Sequence, residues 1–266
     1  MDGSEPRGRG QVDVDEEGLD MTDQKVAIVT GGARGIGAAI TDSLARSGVH
    51  VAAGYSSNSR AAEELAGKLS AEGCSVSVHQ GNVGVPEDCQ RVVEEVLADR
   101  GRVDHLVNNA GVTVDKTMRK MTVDDWHAVL RVNLSGAFYM SKAVLEHMLE
   151  RGSGRIVNIS SVIGQTGNVG QVNYAASKSG LFGMTQSLAR EVARKGITVN
   201  CVAPGYVETE MVAAVPENVL EKIIAGIPVG RLGQAHEIAR AVQFLVDDEA
   251  GYITGSVVSV NGGMDM

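Results

Sequence analysis

The stretch KVAIVTGGARGIG at residues 25–37 decides the fold class of this chain. Residues 25–30 form a continuous apolar run that ends at glycines, which is typical of a strand buried on both faces. Helical periodicity follows over residues 36–47 and stops at Gly48. A buried strand, a glycine-rich turn and a helix, in that order, predict the first unit of an α/β domain built on a parallel sheet.

The same alternation continues from this stretch to the end of the chain. Apolar runs predict six further strands, and helical periodicity between them predicts the connecting helices. We therefore expect a doubly wound (Rossmann) α/β fold, with a mostly parallel seven-stranded sheet and helices on both faces. No polar linker interrupts the pattern, so residues 24–266 are predicted to form one domain. The predicted strands lie at 25–30, 49–54, 74–80, 103–107, 155–159, 197–203 and 257–260, and the predicted helices at 36–47, 60–71, 86–99, 122–151, 174–195 and 234–246.

Charge and composition exclude several classes of partner. The 266 residues are 43% hydrophobic and 21% charged, as in an ordinary soluble protein, and the net charge is −9. Nucleic-acid binding needs a basic face, so we predict no nucleic-acid partner. The chain has no apolar run of ~18 residues and no apolar signal core, which predicts a cytoplasmic protein without membrane association.

The amino-terminal segment, the cysteines and the histidines show no sign of a binding site. Residues 1–23 are rich in charged residues and glycine, so we predict a disordered acidic tail. The three cysteines (Cys74, Cys89 and Cys201) lie far apart in the sequence, which predicts free thiols in a reducing compartment. The six histidines lack the spacing of metal ligands, so no metal is predicted.

The glycine-rich turn is the first candidate binding element. Its spacing is G-x-x-x-G-x-G, which departs from the G-x-G-x-x-G fingerprint. Such a turn exposes backbone N–H groups at a helix amino end, where a pyrophosphate is favoured. A plain glycine-rich turn is the alternative, but the strand–turn–helix context favours a nucleotide. Cofactor contacts are predicted for Gly31, Arg34, Gly35, Ile36 and Gly37.

The end of the second strand indicates which nucleotide binds. An NAD site places an acidic residue there to bond the ribose 2′-hydroxyl, but residues 49–60 contain no acid. Arg34 and Ser56 instead offer a positive charge and a hydroxyl, which suit a 2′-phosphate. A solvated surface charge is the alternative for both Arg34 and Arg60, and Arg60 fits it better than a ligand contact. We therefore predict NADPH/NADP as the cofactor.

Three side chains predict a catalytic site at the carboxyl edge of the sheet. Tyr174 and Lys178 are one helical turn apart and share a face, and Ser161 follows the fifth strand. A lysine cation is expected to lower the pKa of Tyr174 toward neutrality, so that the tyrosine donates a proton to a carbonyl oxygen. Ser161 would bond and polarise the same oxygen. Taken alone, Y-x-x-x-K is a common surface pair, and only its occurrence after the glycine turn favours catalysis.

These motifs together resemble the short-chain dehydrogenase/reductase family. The resemblance spans about residue 25 to the carboxyl terminus and implies a catalytic tetrad of Asn133, Ser161, Tyr174 and Lys178. In that tetrad Asn133 would hold a water that relays protons to Lys178, and Lys178 would also contact the nicotinamide ribose. The resemblance further implies cofactor contacts from Asn82, Val83, Asn109, Ala110, Gly111, Tyr174, Lys178, Pro204, Gly205, Val207 and Thr209.

Within the family the chain is most similar to reductases of 3-oxoacyl thioesters, either acetoacetyl-CoA or 3-oxoacyl-[acyl-carrier-protein] reductases. This similarity implies that Gln171 and Tyr206, with Ser161, contact the acyl group. A phosphopantetheine carrier also needs basic groups at the pocket mouth, which Arg119 and Lys120 supply unless they are simply solvated. The similarity implies a homotetramer as well.

Two alternatives and one segment remain open from the sequence. The chain is alternatively a short-chain enzyme for another ketone or alcohol, such as a sugar or a steroid, or a non-catalytic NADPH-binding regulator. The amphipathic stretch at residues 211–225 is predicted to be a lid that shuts out water, with a packed surface helix as the alternative.

Overall fold

The computed structural model describes residues 24–209, 212 and 216–266. The acidic tail predicted at residues 1–23 lies outside the described residues, and so do residues 211 and 213–215 of the predicted lid.

Seven strands form one sheet in the order β3-β2-β1-β4-β5-β6-β7. Every neighbouring pair is parallel, so the sheet is wholly parallel rather than mostly so. The order reverses between β1 and β4, and open α/β sheets bind ligands beyond the carboxyl ends of the strands at such a point. The strands are β1 (Val26–Val29), β2 (His50–Tyr55), β3 (Val76–Gln80), β4 (His105–Asn108), β5 (Gly154–Ile159), β6 (Ile197–Pro204) and β7 (Val257–Val260).

Helices cover both faces of this sheet, which confirms the doubly wound α/β fold. The apolar cluster on one face includes Ile40 and Leu44 of the first helix with Val242 and Leu245 of the last. The cluster on the other face includes Val93, Met140 and Val144 from two middle helices. The helices are α1 (Gly35–Arg46), α2 (Ser59–Ala71), α3 (Pro86–Arg100), α4 (Val123–Leu130), α5 (Gly136–Arg151), α6 (Val162–Thr166), α7 (Val172–Val192), α8 (Glu217–Ala225) and α9 (Ala235–Val246).

Most observed bounds lie within three residues of the predicted ones, and three differences are larger. The single helix expected at 122–151 contains a π-helical turn at Arg131–Ser135, between α4 and α5. The short helix α6 was not predicted, since five residues are too few for a periodic pattern. The second half of the predicted lid forms α8, none of whose described residues is buried. No helix in the described part of the chain is long and apolar enough to cross a membrane.

A buried carboxylate joins the amino ends of the central strands. Asp104, just before β4, accepts hydrogen bonds from Val26 N and from Arg102 Nε, both at 2.8 Å. Arg102 also donates to the second carboxylate oxygen at 2.8 Å. Burial by itself raises the pKa of Asp104, but the bonds from Arg102 and Val26 outweigh it, so the pKa lies below its usual value.

Replacing Asp104 with asparagine is expected to lower the free energy of unfolding by about 3 kcal/mol at pH 7, because an amide would face the buried Arg102 donors. A depressed pKa stabilises the fold above the ordinary aspartate value of about 3.9, and this contribution is lost as pH falls through the folded-state pKa. The difference from wild type should therefore shrink in acid.

Urea unfolding at pH 7 and in steps toward pH 3.5 measures this difference. Asp42→Asn is the control, because the Asp42–Arg46 pair lies on the surface and should contribute less than about 1 kcal/mol. Equal losses in the two variants, or a loss at Asp104 that does not change with pH, would contradict the role of the ion pair.

Candidate active site

The glycine turn after β1 has a backbone that larger residues would not allow. Gly31 and Gly35 have φ of +62° and +53°, a conformation that side chains disfavour. A Cβ on Gly37 would overlap the carbonyl oxygen of Gly31 and lie 2.5 Å from Asn109 Nδ2. The turn is therefore a close-packed cradle at the amino end of α1, the geometry that suits a pyrophosphate.

The turn is braced by the segment that follows β4. Asn109 donates from Nδ2 to the carbonyl oxygens of Thr30 (3.0 Å) and Gly31 (3.1 Å). Thr30 Oγ1 accepts from the backbone N–H groups of Asn109 and Ala110, both at 3.0 Å. Because β1 and β4 are neighbours at the switch point, these bonds hold the two loops at fixed separation.

A cleft of about 770 Å³ opens above these loops, a size usual for ligand sites. It runs along the carboxyl ends of the strands, where the switch point predicts a ligand. All the residues expected to contact the cofactor line it: Gly31, Arg34, Gly35, Ile36, Gly37, Ser56, Asn82, Val83, Asn109, Ala110, Gly111, Tyr174, Lys178, Pro204, Gly205, Val207 and Thr209.

The end of β2 carries no acidic residue in the cleft lining. Arg34 and Ser56 line the cleft and are exposed, as a contact with a 2′-phosphate requires. Arg60 lies outside the lining and pairs with Glu64 at 2.7 Å, with its side chain 88% exposed. The structure thus places Arg60 on the surface, as the sequence favoured.

The part of the cleft beside β3 and α3 includes residues that sequence reasoning missed. His79, Cys89 and Val92 line it beside Asn82 and Val83. Cys89 and Val92 belong to the helical periodicity of α3, which indicates core positions. His79 alternates with the valines of β3 and lies on its polar face, so neither pattern gave a sign of a ligand.

The three predicted catalytic side chains meet in this cleft. Ser161, Tyr174 and Lys178 all line it, and the Tyr174 hydroxyl is hydrogen-bonded to Ser161. Lys178 Nζ lies 5.8 Å from the centroid of the Tyr174 ring and donates to Ile159 O at 2.7 Å. The hydroxyl and the ammonium therefore lie on the same side of α7, facing the glycine turn.

The expected lowering of the Tyr174 pKa is wrong for this structure. Burial raises the pKa of Tyr174, the hydrogen bond from Ser161 opposes burial, and the charge of Asp115 raises it further. Lys178 contributes no lowering here, and its own burial lowers the pKa of Lys178 to about 8. A raised pKa keeps the phenol protonated at neutral pH, although it also makes the phenol a weaker acid.

Asn133 lies behind the cleft rather than in its lining. It occupies the π-helical turn, where Oδ1 accepts from Val112 N at 2.8 Å. Its Nδ2 donates to Val112 O (3.0 Å) and to Ser177 Oγ (3.1 Å). The side chain thus holds the loop after β4 against α7, and its predicted water-holding role stays a prediction.

The residues expected to contact the acyl group lie at the open end of the cleft. Gln171 and Tyr206 both line it, and Gln171 Nε2 donates to Asp115 Oδ2 at 3.0 Å. Asp115 also lines the cleft, and no spacing in the sequence indicated it, because it comes from a loop far from Gln171 along the chain. Arg119 and Lys120 are exposed and lie outside the lining, so the structure does not bring them to the site.

The surroundings of Gly111 and Lys178 test whether a dinucleotide fits this site. A Cβ on Gly111 would lie 3.4 Å from both Lys178 Nζ and Asn133 Oδ1, so the Gly111 backbone approaches the lysine closely. Lys178 has three donors and uses one on Ile159 O, which leaves two for ligand hydroxyls. The donor set and the close backbone approach fit a nicotinamide dinucleotide.

Comparison with known proteins gives one family. The short chain dehydrogenase family model matches residues 25–220. The acetoacetyl-CoA reductase of Shinella zoogloeoides is 52% identical over 240 residues, which cover 90% of this chain and 98% of that protein. The 3-oxoacyl-[acyl-carrier-protein] reductase FabG of Escherichia coli is 48% identical over 242 residues, 91% and 98% of the two chains. The acetoacetyl-CoA reductase of Cupriavidus necator is 47% identical over 243 residues, 91% and 99%.

Proposed function

The chain belongs to the short-chain dehydrogenase family, and on that premise we propose that it is an NADPH-dependent reductase of a 3-oxoacyl thioester. The substrate is acetoacetyl-CoA or a 3-oxoacyl-[acyl-carrier-protein], the compounds named for its relatives. The product is the 3-hydroxyacyl thioester. One observation carries the proposal: the Tyr174 hydroxyl, bonded to Ser161, shares a cleft with the glycine turn.

Tyr174 is the proposed proton donor. Its raised pKa keeps the hydroxyl protonated, so the proton is available to the substrate oxygen at neutral pH. Ser161 donates to the same oxygen and stabilises the negative charge that develops there. Bound NADPH supplies the hydride to the carbonyl carbon, and the tyrosine proton completes the alcohol.

Lys178 is the proposed binder of the nicotinamide ribose and the route by which Tyr174 regains a proton. Its position is set by the bond to Ile159 O at 2.7 Å, and its burial lowers its pKa to about 8. A lysine with a pKa near neutrality exchanges protons readily at working pH. Asn133 acts on this group through Val112 and Ser177, by fixing the loop that borders the ammonium.

Gln171 and Tyr206 are the proposed contacts of the acyl group. Gln171 is held by Asp115 through Nε2 and accepts from Asn168 Nδ2 at 2.8 Å through Oε1. This chain of bonds fixes the amide at the cleft mouth. A bulky sugar or steroid would collide with the fixed side chains of Gln171 and Asp115. The arm of a thioester is narrow enough to avoid them.

NADPH preference is proposed to depend on Arg34. Replacing Arg34 with alanine is expected to lower the ratio of kcat/KM for NADPH over NADH by about 10- to 100-fold, the value of a charge-assisted bond to phosphate. Initial rates with both cofactors measure this ratio. Arg60→Ala is the matched control and should leave the ratio unchanged, since Arg60 is bound to Glu64 on the surface. An unchanged ratio in Arg34→Ala, or equal falls in both variants, would reject Arg34.

The substrate is tested by following NADPH oxidation with a panel of ketones. Acetoacetyl-CoA, longer 3-oxoacyl-CoAs and a 3-oxoacyl carrier protein are compared with a sugar ketone and a steroid ketone under the same conditions. A thioester should be preferred by at least about 100-fold in kcat/KM, because its arm is bound outside the reacting group. Preference for the sugar or steroid would reject the proposed substrate, and NADPH binding without turnover of any ketone would favour a regulator.

We further propose a cytoplasmic homotetramer in which residues 24–266 form the single catalytic domain. Cys74, Cys89 and Cys201 are free thiols, which suits a reducing compartment. Phe138 on α5 and Val172 on α7 are 50% and 41% exposed, which leaves apolar surface for partner subunits. Light scattering of the purified protein measures the number of subunits.

A further inference from the structure

Five side chains form a hydrogen-bonded chain from the core to the cleft. His50 Nε2 lies 3.0 Å from Ser77 Oγ, and Ser77 Oγ lies 3.0 Å from His79 Nε2. At the outer end His79 Nδ1 lies 3.1 Å from Glu95 Oε2 on α3. At the inner end His50 Nδ1 lies 2.7 Å from Ser75 Oγ. These bonds run across β2 and β3, away from the catalytic side chains.

His79, at the outer end of this chain, forms part of the wall of the cofactor cleft. His79 pairs with Gly54 in the sheet, and both line the cleft beside Asn82. The His79 side chain is only 13% exposed, and His50 is fully buried. His79 is therefore the point at which this chain of bonds meets a bound dinucleotide.

With His79 neutral, the direction of every bond is determined. The Glu95 carboxylate accepts only, so His79 Nδ1 carries the proton and His79 Nε2 accepts from Ser77. Ser77 has one hydrogen, so it must accept from His50 Nε2–H. His50 Nδ1 then accepts from Ser75. All four hydrogen bonds of the chain are thus formed.

With His79 protonated, every bond is kept, and every direction reverses except that of the bond from His79 Nδ1–H to Glu95, which only accepts. His79 Nε2–H donates to Ser77, whose hydrogen now goes to His50 Nε2. The ring proton of His50 moves to Nδ1 and donates to Ser75. His50 stays neutral in both arrangements, and burial, which lowers its pKa to about 4, favours that. The buried chain thus accepts a charge on His79 without leaving a buried polar atom unpaired.

We propose that His79 is a proton-linked cofactor-binding residue, positively charged when the anionic dinucleotide occupies the cleft. This inference rests on the proposed NADPH cofactor. The affinity for NADPH should therefore rise as pH falls through the range in which histidine takes up a proton, and binding should draw a proton from solution.

The charges around His79 favour its protonation on binding. From α3, Glu95 bonds to it directly, and Arg91 pairs with Glu95 at 2.6 Å. Asp88 of α3 lines the same cleft, and its carboxylate accepts from Asn82 N at 2.8 Å. From β2, neutral His50 is joined to it through Ser77, with Asp99 and Arg100 of α3 acting on His50. An anionic ligand bound in the cleft would therefore stabilise the protonated form of His79.

Calorimetry of NADPH binding tests the inference directly. Binding is measured at pH 7 in buffers of different ionisation enthalpy, which reports the protons taken up per site. We expect uptake of a fraction of a proton, and a Kd about three- to tenfold tighter at pH 6.5 than at pH 8.5. Working above pH 6.5 keeps the 2′-phosphate mostly doubly ionised. Absence of NADPH binding would reject the proposed function, whereas binding without proton uptake would reject only the role of His79.

His79→Gln keeps a polar side chain of similar size without the charge. We expect it to take up fewer protons than wild type on binding NADPH, because Lys178, with a pKa of about 8, stays in the cleft. Its affinity should change with pH at least threefold less than that of wild type over the same range. His236→Gln is the control, because His236 is exposed on α9 outside the cleft and should behave as wild type. Equal pH dependence in both variants would overturn the inference.

A spectroscopic signature in the wild-type protein keeps the test independent of how the variants fold. The ring nitrogens of His50 should exchange their pyrrole-like and pyridine-like 15N shifts as His79 becomes protonated, while His50 stays neutral throughout. A single tautomer of His50 across pH 6 to 8.5 would contradict the reversal of the chain.

Discussion

Tyr174→Phe should lower kcat for reduction of the 3-oxoacyl thioester by about 1,000-fold, within the usual contribution of general acid catalysis. The variant loses the hydroxyl that bonds to Ser161 and nothing else, so the substrate oxygen has no proton donor. NADPH affinity should stay near that of wild type, because the ring and the Lys178 ammonium keep their places.

Single-turnover NADPH oxidation and fluorescence titration of NADPH measure these two quantities. Tyr252→Phe is the matched control, since Tyr252 is fully exposed and remote from the cleft, and it should turn over like wild type. Turnover by Tyr174→Phe at the wild-type rate would remove Tyr174 from the mechanism. A parallel loss of NADPH affinity would instead assign Tyr174 to cofactor binding.

Gly37→Ala should weaken NADPH binding by about 100-fold and lower the free energy of unfolding by about 1 to 3 kcal/mol. The added Cβ would overlap the Gly31 carbonyl oxygen, which is backbone and has no other rotamer. The turn must move, and Asn109 must give up its bonds to Thr30 and Gly31. The N–H groups that face the pyrophosphate would then be displaced.

Gly67→Ala separates this effect from the general effect of replacing a helical glycine. A Cβ on Gly67 in α2 meets nothing within 4 Å, so this change should be neutral or stabilising by about 0.5 to 1 kcal/mol. Thermal unfolding and NADPH titration of both variants measure the changes in stability and in cofactor affinity. If Gly37→Ala bound NADPH as tightly as Gly67→Ala, the close packing of the turn would not be needed for the cofactor.

Local patterns determined the fold and most of the cleft. Continuous apolar runs alternating with helical periodicity can be satisfied only by a sheet covered on both faces, so the layer order followed from the sequence. The carboxyl ends of parallel strands share one edge, so Ser161 after β5, the turn after β1 and Asn109 after β4 had to meet there. The i, i+4 spacing placed Tyr174 and Lys178 on one face of α7.

Only the tertiary structure decided the electrostatics and the contacts between distant segments. The pKa of Tyr174 is raised, not lowered, because its burial depends on elements that pack around it from elsewhere in the chain. Asp115 reaches Gln171, and Glu95 reaches His79, across long stretches of sequence that no period relates. Periodicity indicates which face of a helix or strand is buried. The pKa of a side chain depends instead on every group within a few ångströms, and the tertiary structure determines which groups those are.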